Sequence, residues 1–205
     1  MHPYQIDGEI RVRTFLSAAL FSVFAARILS WGLQLLPFPI PWWVETPSVL
    51  GFFGLFMWLF DNYLWRTALV QRIEWFCIPD LNGTWHTEIR SSYSGFDKPI
   101  QGIALIRQTA TKMCIALRTD GSSSFSVHAA LIRADKLSKH ELTYNFVNRP
   151  QADALSTMSM HHGTAWLNIH DDGQVLDGEY YSGRGRQNFG RIILRRGSRS
   201  ESRQQ

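Results

Sequence analysis

Cysteine is scarce in this sequence. Only Cys77 and Cys114 occur among 205 residues, and they do not form a C-x-x-C pair. This spacing excludes a disulfide-stabilised secreted scaffold and the common structural zinc sites. We therefore expect both cysteines to be packing residues, and we expect no metal site.

The sequence also lacks recognisable catalytic motifs. It contains neither a phosphate-binding loop of the nucleoside triphosphatase type nor the glycine fingerprint of dinucleotide-binding folds. Ser122-Ser123-Ser124 lacks the flanking pattern of a nucleophile elbow. The adjacent pair His161-His162 is not spaced to hold one metal ion. We expect a protein that is not an enzyme and that needs no cofactor.

Charged side chains are sparser in the first part of the chain than in the rest, and there the two signs balance. Residues 1–78 carry equal numbers of basic and acidic side chains, so the whole net charge of +4 comes from residues 79–205. DNA- and RNA-binding proteins usually carry a dense basic face, and this excess is too small for one. It is compatible with a small anionic ligand.

What the first part of the chain does contain is two long apolar segments, residues 14–36 and 49–70. Each is long enough to cross a hydrocarbon core of about 30 Å as a helix. Four prolines lie between them and prevent one continuous helix. The pattern predicts a two-helix transmembrane hairpin. A cleaved signal peptide is the alternative for the first segment.

The basic residues near these segments indicate their orientation. Arginines flank the outer ends of the pair, whereas the segment between the helices carries only Glu45. The positive-inside bias therefore predicts that both termini are cytoplasmic, with residues 1–13 as a cytoplasmic N-terminus.

Two charges, Arg27 and Asp61, fall well inside the apolar segments, away from the arginines at their outer ends. A charge inside a bilayer is unfavourable unless it is paired or hydrated, so each should have a partner. Local pairing near the interface is one interpretation. The other is that Arg27 and Asp61 pair between chains, or line a pore, in an assembled state.

From Ile78 onward the hydrophobic period changes to two, which is typical of β-strands. Turns that contain glycine, serine, aspartate or proline separate about eight short segments. The candidate strands are 83–91, 101–108, 112–119, 125–133, 141–148, 164–170, 175–182 and 188–196. With no helical period between them, they predict an all-β domain at 78–196, a small antiparallel up-and-down β-barrel of the lipocalin or avidin type. An open sandwich is the alternative. Residues 197–205 should be a disordered tail.

One arginine- and tyrosine-rich segment, residues 180–186, could bind a ligand. Arginine binds phosphate in a bidentate manner, aromatic rings stack on bases, and glycines allow close approach. The polar turn at 107–112 and side chains near other strand ends add hydrogen-bonding groups. The expected ligand-binding set is Trp85, Tyr93, Arg107, Gln108, Thr109, Lys112, Tyr144, Asn148, Tyr180, Tyr181, Arg184 and Arg186. A solvated hairpin with charged tips is the alternative.

Several motifs in this order resemble one known family. They are IPDLNGTW, QTATKMCIALRT, HHGTAWLNI and LDGEYYSGRGRQNFGRIILRR, following two membrane spans. The chain is similar, over about residues 14–196, to the two-transmembrane, β-strand-rich effectors associated with CD-NTases in bacterial CBASS anti-phage systems. The resemblance implies a barrel that senses a cyclic dinucleotide made by a partner nucleotidyltransferase. It also implies homo-oligomerisation and disruption of the bacterial inner membrane, an abortive-infection response. The rival functions are a membrane-tethered module for a lipid or other hydrophobic ligand and a purely structural barrel.

Overall fold

The computed structural model describes residues 1–35, 45–73, 78–134, 139–170, 173–183 and 186–197. The chain forms two compact units. The first comprises Met1–Asp7 together with Pro79–Gln205, and the second comprises Gly8–Ile78. Cys77 and the expected disordered tail beyond residue 197 lie outside the described residues.

The second unit is helical. It contains α1 (Gly8–Leu33), α2 (Glu45–Asn62) and the short α3 (Ala68–Gln71). Among the helices that are described, α1 alone is long and apolar enough to cross a membrane, with a mean hydropathy of 1.6 over 18 residues. A shorter apolar segment, Val49–Asn62, lies within α2.

Small side chains define the buried face of α1. Beginning at Ile10, a buried residue recurs every four positions, as expected for one face of a helix. These positions are Thr14, Ala18, Ser22, Ala26 and Ser30. Aromatic rings join the first two helices, with centroids 6.5 Å apart for Phe15 and Phe53 and 5.0 Å apart for Phe21 and Phe56. Small residues on a helix permit the close backbone approach that is common between membrane helices.

The first unit is a closed barrel of eight main strands. They are β3 (Gly83–Ser91), β4 (Ile100–Gln108), β5 (Lys112–Thr119), β6 (Ser122–Ala134), β7 (Lys139–Pro150), β8 (His161–His170), β9 (Val175–Ser182) and β10 (Phe189–Arg196). Each pairs antiparallel with its neighbour in the chain, and β10 pairs with β3 to close the barrel. The predicted up-and-down barrel is therefore confirmed, and the open sandwich is excluded.

Two further strands come from the N-terminus, where the sequence had indicated no regular structure outside the membrane. β1 (His2–Pro3) pairs antiparallel with β5, and β2 (Gln5–Ile6) pairs parallel with β6. Residues 2–6 therefore belong to the barrel, although the whole helical unit follows them in sequence. We refer to residues 2–6 as the N-terminal strap.

One end of the barrel is filled by large apolar side chains. Alternate residues of each strand point inward, and those at this end are almost completely buried. They include Trp85, Ile106, Met113, Ile115, Leu142, Leu167, Leu176 and Leu194. The indole Nε1 of Trp85 donates to Leu81 O at 3.0 Å, and the Arg196 guanidinium lies 4.9 Å from the Trp85 ring centroid. This is the packed end of the barrel.

A buried glutamine fixes the chain entry at the packed end. Gln108 Oε1 accepts from Leu81 N at 2.9 Å, and its Nε2 donates to Pro79 O and to the Tyr4 hydroxyl. A buried amide needs such partners because an unmet hydrogen bond away from water is costly. Gln108 therefore ties the strap and the segment that enters β3 to the same point.

Candidate functional site

A cavity opens at the other end of the barrel. It lies where β3, β5, β7 and β9 end and where β4, β6, β8 and β10 begin. The cavity has a volume of about 120 Å³ and is open at its mouth. We call this the cavity end.

The lining is apolar in part and carries a ring of small polar groups. Ile89, Leu117 and Ile192 contribute the apolar surface, with the aromatic rings of Tyr144, Phe146 and Tyr180. The polar members of the lining are Ser91, Thr119, Ser122, Ser124, Asn148, His161, Ser182, Arg186 and Asn188. Among the described residues, no carboxylate lines the cavity. The site therefore offers donors and one permanent positive charge to a ligand.

Two glycines make room for the aromatic lining. A Cβ added at Gly163 would lie 2.3 Å from Phe146 Cζ, and one at Gly190 would lie 2.8 Å from Tyr180 Cε1 and 2.1 Å from Arg90 O. These separations are shorter than any van der Waals contact. Glycine at both positions lets the two rings occupy the space beside the strand backbone.

Arg186 is the most informative side chain of the site. Its guanidinium carbon lies 4.7 Å from the centroid of the Tyr93 ring, a cation–π arrangement. In the orientation of the Asn188 side-chain amide that satisfies both its oxygen and its nitrogen, Arg186 Nε donates to the amide oxygen at 2.8 Å. Nη1 is buried and has no hydrogen-bond partner within the described part of the chain. A buried guanidinium N–H without an acceptor favours the arrival of an anion.

Tyr93 is positioned by the loop after β3. Ser91 caps a 3₁₀ turn at Ser92–Ser94, where its hydroxyl accepts from Tyr93 N at 3.3 Å. Phe189 N donates to Ser92 Oγ at 3.1 Å, which ties this turn to the start of β10. The Tyr93 side chain itself is 60% exposed. A ring held at the mouth of a cavity is suited to stacking on a flat ligand.

The ionisable groups of the cavity are kept uncharged, apart from Arg186. Burial is the main cause that lowers the pKa of His161, and the positive charges of Arg186 and His162 lower it further, against a hydrogen bond to Ser159 O that raises it. Burial raises the pKa of Tyr144 and of Tyr180 above the ordinary tyrosine value. At neutral pH these residues therefore act as neutral hydrogen-bonding groups.

Asn148 adds an amide to the same wall. The residue is 7% exposed, and its Nδ2 donates to the thioether of Met158 at 3.2 Å. A thioether is a weak acceptor, so a stronger acceptor on a ligand can replace it. The amide thus offers both a donor and an acceptor to the flat edge of a bound molecule.

Two families of known sequences match this chain in separate segments. Residues 76–196 match the family described as "Cap15, cyclic dinucleotide receptor domain", and residues 13–66 match "Cap15, TM helices". The first match alone covers more than half of the chain and contains all eight main strands. The chain belongs to the Cap15 family. The resemblance stated from the sequence motifs is thereby confirmed.

Two curated relatives carry the same name. The chain is 32% identical over 145 residues to "CD-NTase-associated protein 15" of Yersinia aleksiciae, covering 71% of this chain and 67% of the relative. It is 26% identical over 128 residues to the protein of that name from Escherichia albertii, covering 62% of each. The chain therefore spans about two thirds of the length of these Cap15 proteins. Neither family match includes residues 2–6.

The Cap15 barrel gathers five of the expected ligand-binding residues around the cavity. Tyr93, Tyr144, Asn148, Tyr180 and Arg186 all line it. They come from four different strands or loops and meet because those strands end at the same rim. Arg184, also expected there, lies outside the described residues.

The remaining expected residues are not brought to the cavity. Gln108, Thr109 and Lys112 lie at the opposite end, because the β4–β5 turn is at the packed end. Trp85 is buried among the apolar side chains of that end. Arg107 faces Cys114 across the β4–β5 ladder. Tyr181 stacks on Trp166 outside the barrel, with 5.3 Å between the ring centroids.

In the helical unit, Arg27 is exposed and Asp61 is half-buried.

Sequence reasoning missed the small polar residues of the cavity. Ser122 and Ser124 were considered only as part of a nucleophile motif and His161 only as a metal ligand. A usable signal existed in β6, where Ser122, Ser124 and Ser126 alternate on the inward face before Ala129 and Leu131 continue it. Small hydroxyls at inward positions indicate a space that the protein does not fill.

Proposed function

We propose that this Cap15-family protein is a membrane effector of a CBASS anti-phage system and that its barrel binds a cyclic dinucleotide in the cavity. The observation that carries the proposal is Arg186, whose buried Nη1 has no acceptor in the described chain and which faces a cavity without carboxylates. The source of the ligand would be a partner nucleotidyltransferase, in keeping with the family's association with CD-NTases.

The cavity suggests how each part of such a ligand would be bound. A cyclic dinucleotide has two phosphates and two bases. Arg186 would bind one phosphate, and Tyr93, released from its stacking on Arg186, would stack on a base. The buried serine hydroxyls and the Asn148 amide would donate to and accept from the remaining polar edges.

The helical unit would deliver the response. We propose that the two apolar segments span the bacterial inner membrane as a hairpin with both termini in the cytoplasm, so that the barrel samples the cytosol. A ligand shifts assembly only if it binds the assembled state more tightly than the monomer. Ligand-driven homo-oligomerisation would then concentrate the helices and disrupt the membrane, which stops the infected cell.

Calorimetry on the full chain in detergent micelles tests the ligand. The titrants are cyclic di-AMP, cyclic di-GMP and cyclic GMP-AMP, with the linear dinucleotides for comparison. We expect tight binding of one cyclic dinucleotide and a loss of about 10- to 150-fold in affinity for Arg186→Ala, the equivalent of about 1.5–3 kcal/mol for a charged hydrogen bond.

Lys112→Ala is the matched control, because it removes a positive charge at the opposite end of the barrel. Its affinity should stay within twofold of the wild type. Equal losses in both variants would mean that only net charge matters. Binding of lipids but not of nucleotides, unaffected by salt, would replace the proposal with the hydrophobic-ligand function.

The membrane response is tested separately with Asp61→Ala. In liposomes of Escherichia coli polar lipids, the wild type with its cyclic dinucleotide should release an entrapped dye. Asp61→Ala should bind the ligand normally and release little dye, because an intramembrane charge requires a partner in the assembled state. Full dye release by this variant would contradict pairing of Asp61 between chains and would support the local-pairing interpretation.

A further inference from the structure

The barrel has one weak seam, between β5 and β6. These strands pair only where Ala116–Arg118 face Ser123–Phe125. Every other pair of neighbouring main strands is joined over seven or more residues. Both strands nevertheless continue toward the packed end, β5 back to Lys112 and β6 on to Ala134. Their facing edges there are not joined to each other.

The N-terminal strap occupies those two edges. His2 and Pro3 pair with Met113 and Lys112 of β5, and Tyr4 N donates to Thr111 O at 3.2 Å. On the other side, the strap pairs with β6 at Ala130 and Leu131. The strap therefore lies in the seam and pairs with both strands.

Side chains fix the strap in place. Tyr4 is 8% exposed, and its hydroxyl accepts from Gln108 Nε2 at 3.1 Å and donates to Thr109 O at 3.3 Å. His2 Nε2 lies 2.8 Å from Ser126 Oγ. The same Ser126 hydroxyl accepts from Ile115 N at 2.9 Å, so a side chain replaces the strand partner of Ile115.

The same strand edges have a second possible partner. If the register of Ala116 with Phe125 continued toward the packed end, Ile115 would face Ser126 and Cys114 would face Val127. Met113 and Lys112, which now pair with the strap, would then face His128 and Ala129 of β6. Strap pairing and extended β5–β6 pairing are therefore mutually exclusive, which makes the seam a two-state element.

The strands of the seam reach the cavity, and the strap that lies in the seam precedes α1 in sequence. β5 contributes Leu117 and Thr119 to the cavity, and β6 contributes Ser122 and Ser124. The strap ends at Ile6, and α1 begins two residues later at Gly8. A ligand that contacts both strands at the cavity end favours their pairing, and that pairing can extend only into the region that the strap occupies.

From this arrangement we propose that the N-terminal strap is a release element. Ligand in the cavity extends the β5–β6 pairing and displaces residues 2–6, the segment that precedes α1 in sequence, from the seam. The proposal rests on the proposed function for its ligand. By reciprocal linkage, a strap that cannot leave must weaken ligand binding.

A reversible covalent lock tests this directly in the full chain. Pro3 and Lys112 are opposed in an antiparallel pair and both are exposed. Opposed antiparallel residues have Cα separations of about 4.5–5.5 Å, which suits a disulfide. Pro3→Cys with Lys112→Cys is made in a background of Cys77→Ser and Cys114→Ser. The probe is whichever of cyclic di-AMP, cyclic di-GMP and cyclic GMP-AMP binds the wild type most tightly.

We expect the oxidised lock to bind this probe about tenfold more weakly than the same protein after reduction, a typical coupling strength. The control disulfide is His86→Cys with Arg195→Cys, which joins β3 to β10 across an existing ladder. Its affinity should not change on reduction. Equal affinity of the oxidised and reduced lock overturns the release element while leaving the ligand assignment intact. Absence of binding by the wild type and by every variant overturns both.

Hydrogen exchange of the wild type gives a second readout that needs no substitution. On saturation with the probe, the amides of Tyr4 and Ile6 should exchange at least tenfold faster. The amide of Ser126, which would face Ile115 in the extended pairing, should exchange more slowly. Unchanged or stronger protection of the strap amides contradicts the proposal.

Discussion

The two ends of the barrel are built from the same eight strands and have opposite interiors. At the packed end, Trp85, Met113 and Leu194 are almost completely buried in apolar contacts. At the cavity end, the corresponding inward positions of β3 and β6 carry Ser91, Ser122 and Ser124. An eight-stranded barrel leaves an interior that side chains just fill. The difference shows that the choice of side chain, with no change of backbone topology, decides which end is filled and which contains the cavity.

The comparison also separates stability from binding. Large apolar groups at the packed end provide the burial that stabilises the barrel. The small hydroxyl side chains at the cavity end bury less apolar surface and leave polar groups that a ligand could contact. Substitutions at the two ends should therefore affect different measurements.

The largest effect is expected at the packed end. Trp85→Ala should lower the free energy of unfolding by about 3–5 kcal/mol, because it removes a fully buried indole and leaves a void. Ligand affinity, measured where the variant is still folded, should change little. Denaturation of the full chain in detergent measures the first quantity. Trp166→Ala is the control, since Trp166 is 41% exposed and only stacks on Tyr181, a contact worth about 0.5–1.5 kcal/mol.

A smaller and opposite pattern is expected at the cavity end. Ser124→Val should leave the free energy of unfolding within about 1 kcal/mol of the wild type and should weaken cyclic dinucleotide binding about tenfold, because it removes a hydroxyl from the lining and puts an isopropyl group in its place. Ser123→Val changes the neighbouring residue, which faces outward, and should leave binding unaltered. Loss of stability without loss of binding would show that the two ends are not specialised in this way.

The smallest effect is a dependence on pH. The pKa of His161 lies below its ordinary value of 6.5, so its imidazole is neutral at pH 7. A bound phosphate would favour the charged form, so affinity should rise a few-fold as the pH falls from 6.5 toward the lowered pKa. Without ligand, the barrel should lose stability over the same window, because the unfolded state binds the proton more readily.

His161→Gln should flatten both pH profiles, whereas His162→Gln, at an exposed position beside it, should leave them as in the wild type. Titrations at several pH values check the first profile and thermal melts the second. A wild-type affinity that is constant across this pH range would contradict a contact between His161 and a ligand phosphate.

Much of the barrel could be predicted because alternation is a local property. The predicted segments 83–91, 112–119 and 175–182 coincide with β3, β5 and β9. For the other five strands, the ends predicted from turn residues lie within three positions of the observed ends. Alternation also indicates which side chains share a face, so that Tyr180 and Tyr181 must point to opposite sides of β9. Only Tyr180 lines the cavity.

The position of a residue along the barrel axis was harder to predict. Lys112 and Thr119 belong to the same strand, yet they lie at opposite ends of it and only Thr119 meets the cavity. Periodicity carries no information about which rim a ligand uses. The strap was missed for a different reason: two strands of two residues each are too short to produce a periodic signal.

The split of the barrel across the helical unit has a consequence for biosynthesis. Residues 2–6 are synthesised before their partners in β5 and β6, which follow more than a hundred residues later. The apolar helices between them are available for membrane insertion before either partner strand exists. The strap therefore cannot dock until β5 and β6 have been made, and its docking becomes a late step of maturation. An affinity tag fused ahead of His2 would interfere with that step.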